Sequence, residues 1–193
     1  MIMLIAGLCC VIAVHALRPL APGLRARVIE RAGAGAWHLL HSSVSSLGLV
    51  LVVAGYAAVR REGPVWLWLP PAGAAHLTGA CMLLSFILLA AAVVPGSRIA
   101  RRVRQPLAAA VVWWAAGHLW ANGTLGDLLL FGSLLLSGLL SFVLLYRRET
   151  PEKRKGPPAT SRSDVVVLSV GVIAWAVFAF WLHQPLIGVR PFM

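Results

Sequence analysis

Hydrophobic positions along the chain fall into six long runs, approximately 1–17, 38–59, 72–94, 106–121, 125–146 and 164–184, separated by short polar connections. A helix rises 1.5 Å per residue, so about 20 apolar residues cross the roughly 30 Å of hydrocarbon in a bilayer. The pattern predicts an all-α integral membrane protein with six transmembrane helices. The fourth run is short and opens on Pro106, a residue suited to a first helical position because the missing N–H has no partner there anyway. Asn122-Gly123 then predicts a hairpin between the fourth and fifth helices. Segment 149–163, which contains TPEKRKGPPATSRS, is too polar and Pro-rich to pack and predicts a flexible cytoplasmic linker within one domain spanning 1–193.

Composition agrees, since 60% of residues are hydrophobic, 12% are charged and the mean hydropathy is +0.85. No soluble domain of this length needs that balance. Basic residues give the orientation: Arg18, Arg25, Arg27 and Arg31 lie in the first connection, Arg98, Arg101, Arg102 and Arg104 in the third, and Arg147, Arg148, Lys153, Arg154, Lys155 and Arg162 in the fifth. Only Arg60, Arg61 and Arg190 remain for the other side. Lys and Arg are retained on the cytoplasmic side, so both termini are expected outside. The net charge of +11 is spread over three short connections without interleaved aromatics. Attraction to anionic headgroups accounts for it, and nucleic acid is not an expected partner.

Residues 1–10 carry no Lys or Arg and the basic cluster follows the first apolar run, the reverse of a signal peptide. Trp66, Trp68, Trp120 and Trp181 fall near the expected outer boundary and Trp37 near the inner one, where indole is favoured. Cys9 and Cys10 diverge by about 100° on a helix and Cys81 sits in the third run. Without a CxxC or CxxCH, covalent c-type haem and zinc ribbons are excluded, and the thiols read as buried and inert. Ser133, Ser137 and Ser141 share one narrow helix face, as do the pairs His38/Ser42 and His41/Ser45, a small-residue pattern for close helix packing. Asp127 is the acidic residue near a span's outer end, too little for an ion-coupled transport path.

Six histidines remain: His15, His38, His41, His76, His118 and His183. His38 and His41 are expected at the cytoplasmic mouth of the second span, and His76 and His183 near the outer boundary, where solvation or a mutual hydrogen bond satisfies them. His118 lies in an otherwise apolar stretch, RQPLAAAVVWWAAGHLWANGTLGDLLLFG, residues 104–132. An ionisable ring at membrane depth calls for a partner helix, a trapped water or a metal.

That stretch resembles the most recognisable part of the NnrU family, with Ala-Gly-His-Leu, Ala-Asn-Gly and a Leu-rich Phe-Gly. The resemblance extends over nearly the whole chain through VHALRPL with His15, PPAGAAHL with His76, PGSRIARRVRQP, and FWLHQPLIGV with His183. It implies a multi-pass protein of the bacterial inner membrane, associated with nitrite and nitric oxide metabolism. It also implies a relationship to plant zeta-carotene isomerase, a membrane enzyme with b-type haem held by two histidines, and so redox chemistry on a lipophilic substrate or with a redox partner. Carried over by resemblance, haem b is the cofactor, His15 and His118 are its axial ligands, and Arg18, Arg102 and Arg104 are candidate partners for the propionates. Neutral imidazoles from two helices are ordinary haem ligands. Gln105 stands where the family pattern has a histidine before proline, which removes a titratable group from that position.

Depth along the spans points elsewhere. His15 is three residues from Arg18, about 5 Å from the inner boundary, while His118 is fourteen residues beyond Arg104, about 21 Å. Depth alone pairs His118 with His76 or His183. The other class of function consistent with the residues is a membrane assembly or accessory protein whose histidines only pack and hydrogen-bond.

Overall fold

The computed structural model describes residues 1–149 and 158–192, which contain helices and no β-strand. In chain order they are α1 (Ile2–Leu20), α2 (Pro22–Arg61), α3 (Ala74–Val93), α4 (Arg98–Val103), α5 (Pro106–Ala121), α6 (Leu125–Arg148) and α7 (Ser161–Ile187). Five of these, α1, α2, α3, α6 and α7, are long and apolar enough to cross a membrane. The sixth expected span, α5, starts at Pro106 as the sequence predicts but has 16 residues. At 1.5 Å per residue that is about 24 Å, short of the hydrocarbon thickness.

Packing follows the order α2, α1, α6, α5, α3, α7, each helix resting on the next. Apolar side chains gain little from leaving lipid, so close contact depends on small residues. Between α1 and α2, a β-carbon on Gly7 would stand 2.6 Å from the Val52 nitrogen, and one on Gly55 would overlap the Leu4 backbone. Gly171 on α7 meets the Ile87 backbone of α3 in the same way, at 2.7 Å. Polar links join α3 to α5: Ser85 Oγ donates to the Ala110 carbonyl (2.9 Å) and Thr78 Oγ1 to that of Gly117 (2.7 Å). Ser133, Ser137 and Ser141 are all half-buried on α6, and Gly138 beside them meets Val112 of α5. Gly7→Ala and Gly55→Ala are therefore expected to force α1 from α2, at a cost of about 1–3 kcal/mol each. Thermal unfolding in detergent checks this, with Gly35→Ala, where a β-carbon meets open space, as the variant that keeps its midpoint.

The predicted hairpin at Asn122-Gly123 is present, with a strap over it that the sequence did not announce. Leu67 and Trp68 N–H donate to the Gly123 carbonyl (2.8 and 3.2 Å), and Leu125 N–H donates to that of Val65 (2.8 Å). A β-carbon on Gly123 would fall on the Trp68 carbonyl, which explains the glycine. Opposite the strap, one carboxyl oxygen of Asp164 accepts from Ser97 Oγ (2.9 Å), Arg98 N–H (2.7 Å) and Ile99 N–H (3.3 Å), fastening α7 to the start of α4. Thr160 caps α7 by accepting from Ser163 N–H (3.1 Å), so the helix begins inside the segment expected as a linker. Residues 150–157 of that segment lie outside the described residues.

Two further differences concern the first connection. Residues 22–32 are helical, separated from the span that follows by non-helical Gly33 (φ 85°, ψ 160°). Trp37 is only 5% exposed, covered by protein at the boundary where an indole facing the interface was expected, and the Arg25 guanidinium stands 5.6 Å above its ring.

Candidate functional site

The histidines fall into separate ring clusters. Toward the hairpin, an apolar core gathers Leu4 and Leu8 of α1, Val59 of α2, and Leu130 and Phe131 of α6, with Trp114 of α5 packed against it. His118 enters this core from α5. Its ring stacks on Phe131, 5.0 Å between centroids at 28°, and lies 5.1 Å from Trp114. Its Nδ1–H donates to the Trp114 carbonyl one turn back (2.9 Å). A carbonyl only accepts, so a proton sits on Nδ1, and in the neutral ring Nε2 keeps its lone pair.

Phe131 also meets Tyr56 of α2, edge to face at 6.2 Å. Tyr56 Oη donates to Asp127 Oδ1, and the other carboxyl oxygen of Asp127 accepts from Thr124 N–H (2.9 Å) and Thr124 Oγ1 (2.6 Å). Asp127 is 4% exposed, and with Thr124 it forms a capping box at the start of α6. The Thr-x-x-Asp spacing signals that box in the sequence. Nothing in the sequence signals Tyr56, which is 71 positions away.

At the other end of the α1–α2 pair, His15 donates from Nδ1 to the Val11 carbonyl (2.8 Å), and its ring sits 4.9 Å from that of His41 at 65°. His41 lies 5.8 Å from Trp37. His38 is exposed. His76 and His183, expected to bond one another or to be interfacial, have separate partners: His76 stacks on Phe192 at 6.3 Å, and His183 Nδ1–H donates to the Val189 carbonyl at 2.8 Å. Arg18 and Arg102 are exposed, while Arg104 lies over the Tyr146 ring at 4.2 Å. Gln105 is the N-cap of α5 and makes no capping bond with its side chain.

The two proposed haem ligands therefore share a donor chemistry and not a place. Each presents Nε2 with Nδ1 held by a backbone carbonyl, the arrangement that orients an iron-binding imidazole. Yet α2 runs fifteen residues, about 22 Å, from His41 beside His15 to Tyr56 in the cluster of His118. Two imidazoles on one iron, with bonds of about 2 Å, would have their ring centres only about 6–7 Å apart. His15 and His118 do not fit as a pair on one iron in this arrangement.

The arrangement of glycine contacts, the Asn-Gly hairpin and the histidine-bearing helices extends almost from end to end, and so does the agreement with one family. The model of NnrU proteins matches residues 3–191. The chain belongs to the NnrU family. No curated protein and no solved structure matches it. Among the described residues of this NnrU protein, no group of three or more His, Cys, Asp or Glu side chains is placed to hold a metal ion. Cys9, Cys10 and Cys81 are free thiols, with Cys81 buried as expected and Cys9 exposed. Two open apolar recesses lie on the bundle, one beside Met3, Val50 and Val53, the other beside Trp68, Ala116 and Trp120; neither is lined by a histidine.

Proposed function

We propose that this NnrU protein is a six-crossing protein of the bacterial inner membrane, with both termini outside, that binds haem b through His118 and serves nitrite and nitric oxide metabolism. The observation that carries the reading is the state of His118. An imidazole sunk among Trp114 and Phe131, with its Nδ1 proton committed to the Trp114 carbonyl, keeps a single free lone pair. Such a ring is a ready iron ligand, and without one it is an uncompensated polar atom at membrane depth. The haem would supply redox and ligand-binding chemistry; the chain supplies the oriented imidazole, and the aromatic walls that exclude water from it.

The sixth crossing in this reading is α5 together with the strapped hairpin. The strap meets the Gly123 carbonyl and the Leu125 N–H, while the Gly117 and His118 carbonyls at the end of α5 accept from Thr78 Oγ1 (2.7 Å) and the Asn122 side-chain amide (2.8 Å), so this short helix ends near the boundary with partners for these groups. Fourteen of the seventeen basic residues then share the cytoplasmic side. The purified protein from haem-sufficient cells is expected to show a Soret band. Its absence would favour the second reading, an accessory membrane protein without cofactor, for which the close packing of His118 against Phe131 and the lack of a histidine in either recess already speak.

A further inference from the structure

The short helix at residues 22–32 is bounded by two breaks, Ala21 (φ −129°, ψ 57°) and Gly33 (φ 85°, ψ 160°). Twelve residues of straight helix would set Arg25 and Trp37 about 18 Å apart along the axis. Instead, the Arg25 guanidinium carbon is 5.6 Å from the centre of the Trp37 ring. The chain folds back at Gly33, whose positive φ a side chain would oppose, and this brings Arg25 over Trp37, the neighbour of His41.

At 100° per residue the helix has two faces. Arg25, Val28 and Ile29 fall on one; Arg27, Glu30 and Arg31 fall on the other, with Leu24 only about 20° from Arg31. Burial follows the same division, since Arg25, Val28 and Ile29 are half-buried while Arg27, Glu30 and Arg31 are exposed. Leu24, 45% exposed, stands on the same side as Arg27 and Arg31. Arg27 bonds only its own helix, through the Gly23 carbonyl at 3.4 Å, and among the described residues Arg18, Arg25, Arg27 and Arg31 form no salt bridge.

We infer that residues 22–32 lie in the plane of the headgroup layer and seat an anionic phospholipid, the guanidinium groups of Arg27 and Arg31 taking its phosphate while Leu24 enters the acyl region. Basic amphipathic helices lie in the interface plane in this way, and Leu24 stands on the same exposed side as the two guanidinium groups, where one lipid meets all three. Each basic side chain near an anionic surface adds attraction, and guanidinium meets phosphate through paired hydrogen bonds. The inference rests on the membrane-spanning reading and not on haem, so the two fail separately.

Full-length protein in nanodiscs tests it, with spin-labelled phosphatidylglycerol and phosphatidylcholine as probes. Preferential immobilisation of phosphatidylglycerol is expected, reduced about threefold or more in Arg25→Gln/Arg27→Gln/Arg31→Gln. It should be retained in Arg98→Gln/Arg101→Gln/Arg102→Gln. Equal loss in both triple variants, or no loss in the first, overturns the inference. A second measurement covers the case in which the triple variant misfolds. In a chain with its three cysteines replaced by alanine, nitroxides on Leu24→Cys and Glu30→Cys should favour collision with oxygen and with a water-soluble nickel complex, respectively. Equal exposure of both positions to the nickel complex would show a helix standing in water, and would also overturn it. So would shielding at position 30 by an acidic peptide in phosphatidylcholine nanodiscs where phosphatidylglycerol gives none.

Discussion

Replacing His118 by alanine is expected to abolish the Soret absorption of the purified protein, while His15→Ala and His38→Ala leave it in place. The expectation for His118 follows from its one free nitrogen, aligned by the Trp114 carbonyl and walled by two aromatic rings. The expectation for His15 follows from distance: its ring meets His41, about 22 Å along α2 from the level of Tyr56 and Phe131. Absorption spectra of the three variants, normalised to protein, settle the matter. Loss of the band in both His15→Ala and His118→Ala would mean that α1 and α5 shift to bring the two rings together when haem binds. Retention in His118→Ala would end the proposed ligation outright.

The second large effect is expected at Asp127. Its two carboxyl oxygens accept from Tyr56 Oη, Thr124 N–H and Thr124 Oγ1, and the side chain is buried. Asp127→Ala leaves three donors without an acceptor, and each buried unsatisfied group costs about 1–3 kcal/mol. Allowing for relaxation and water entry, a loss of about 3 kcal/mol is expected. Tyr56→Phe removes one donor and leaves the capping box intact, so about 1 kcal/mol is expected there. Unfolding by sodium dodecyl sulfate, followed by Trp fluorescence, ranks the variants; an Asp127→Ala midpoint equal to that of Tyr56→Phe would show that the box contributes nothing.

Local signals in the sequence placed most of the fold. Apolar runs located α1, α3, α6 and α7 to within a few residues, Pro106 marked the start of α5, and Asn122-Gly123 marked the hairpin. Each depends on neighbours in the chain, which composition and periodicity report directly. The helix at 22–32 was hidden because alternating arginines read equally well as a solvated connection, and only the turn at Gly33 gives the segment a surface to rest on. The burial of Trp37 was hidden for the same reason, since the side chain that lies over it, Arg25, comes from that helix.

The site was less legible than the fold. His118 stood out, being one ionisable group in an apolar stretch. Its surroundings did not: Phe131 reaches it only because α5 and α6 form a hairpin, and Tyr56 reaches Asp127 from a helix 71 residues earlier. Counting residues inward from basic boundaries gave His15 and His118 different depths, and the structure keeps them apart. The strap of Val65–Trp68 carries no periodicity at all, because its bonds are to the backbone of Gly123 and Leu125 and leave no mark on side-chain type.

The wide π turn at Leu128–Gly132 carries a last consequence. A π turn holds one residue more than an α turn, so α6 contains a phase step of about 100° between Asp127 and Ser133. Deleting Leu128 would restore an uninterrupted α-helix. Gly138 would keep facing Val112 of α5, while Thr124 and Asp127 would rotate as a block away from Tyr56. That surplus position acts as a clutch, letting the carboxyl end of the hairpin and the small-residue seam of the same helix each find its own partner.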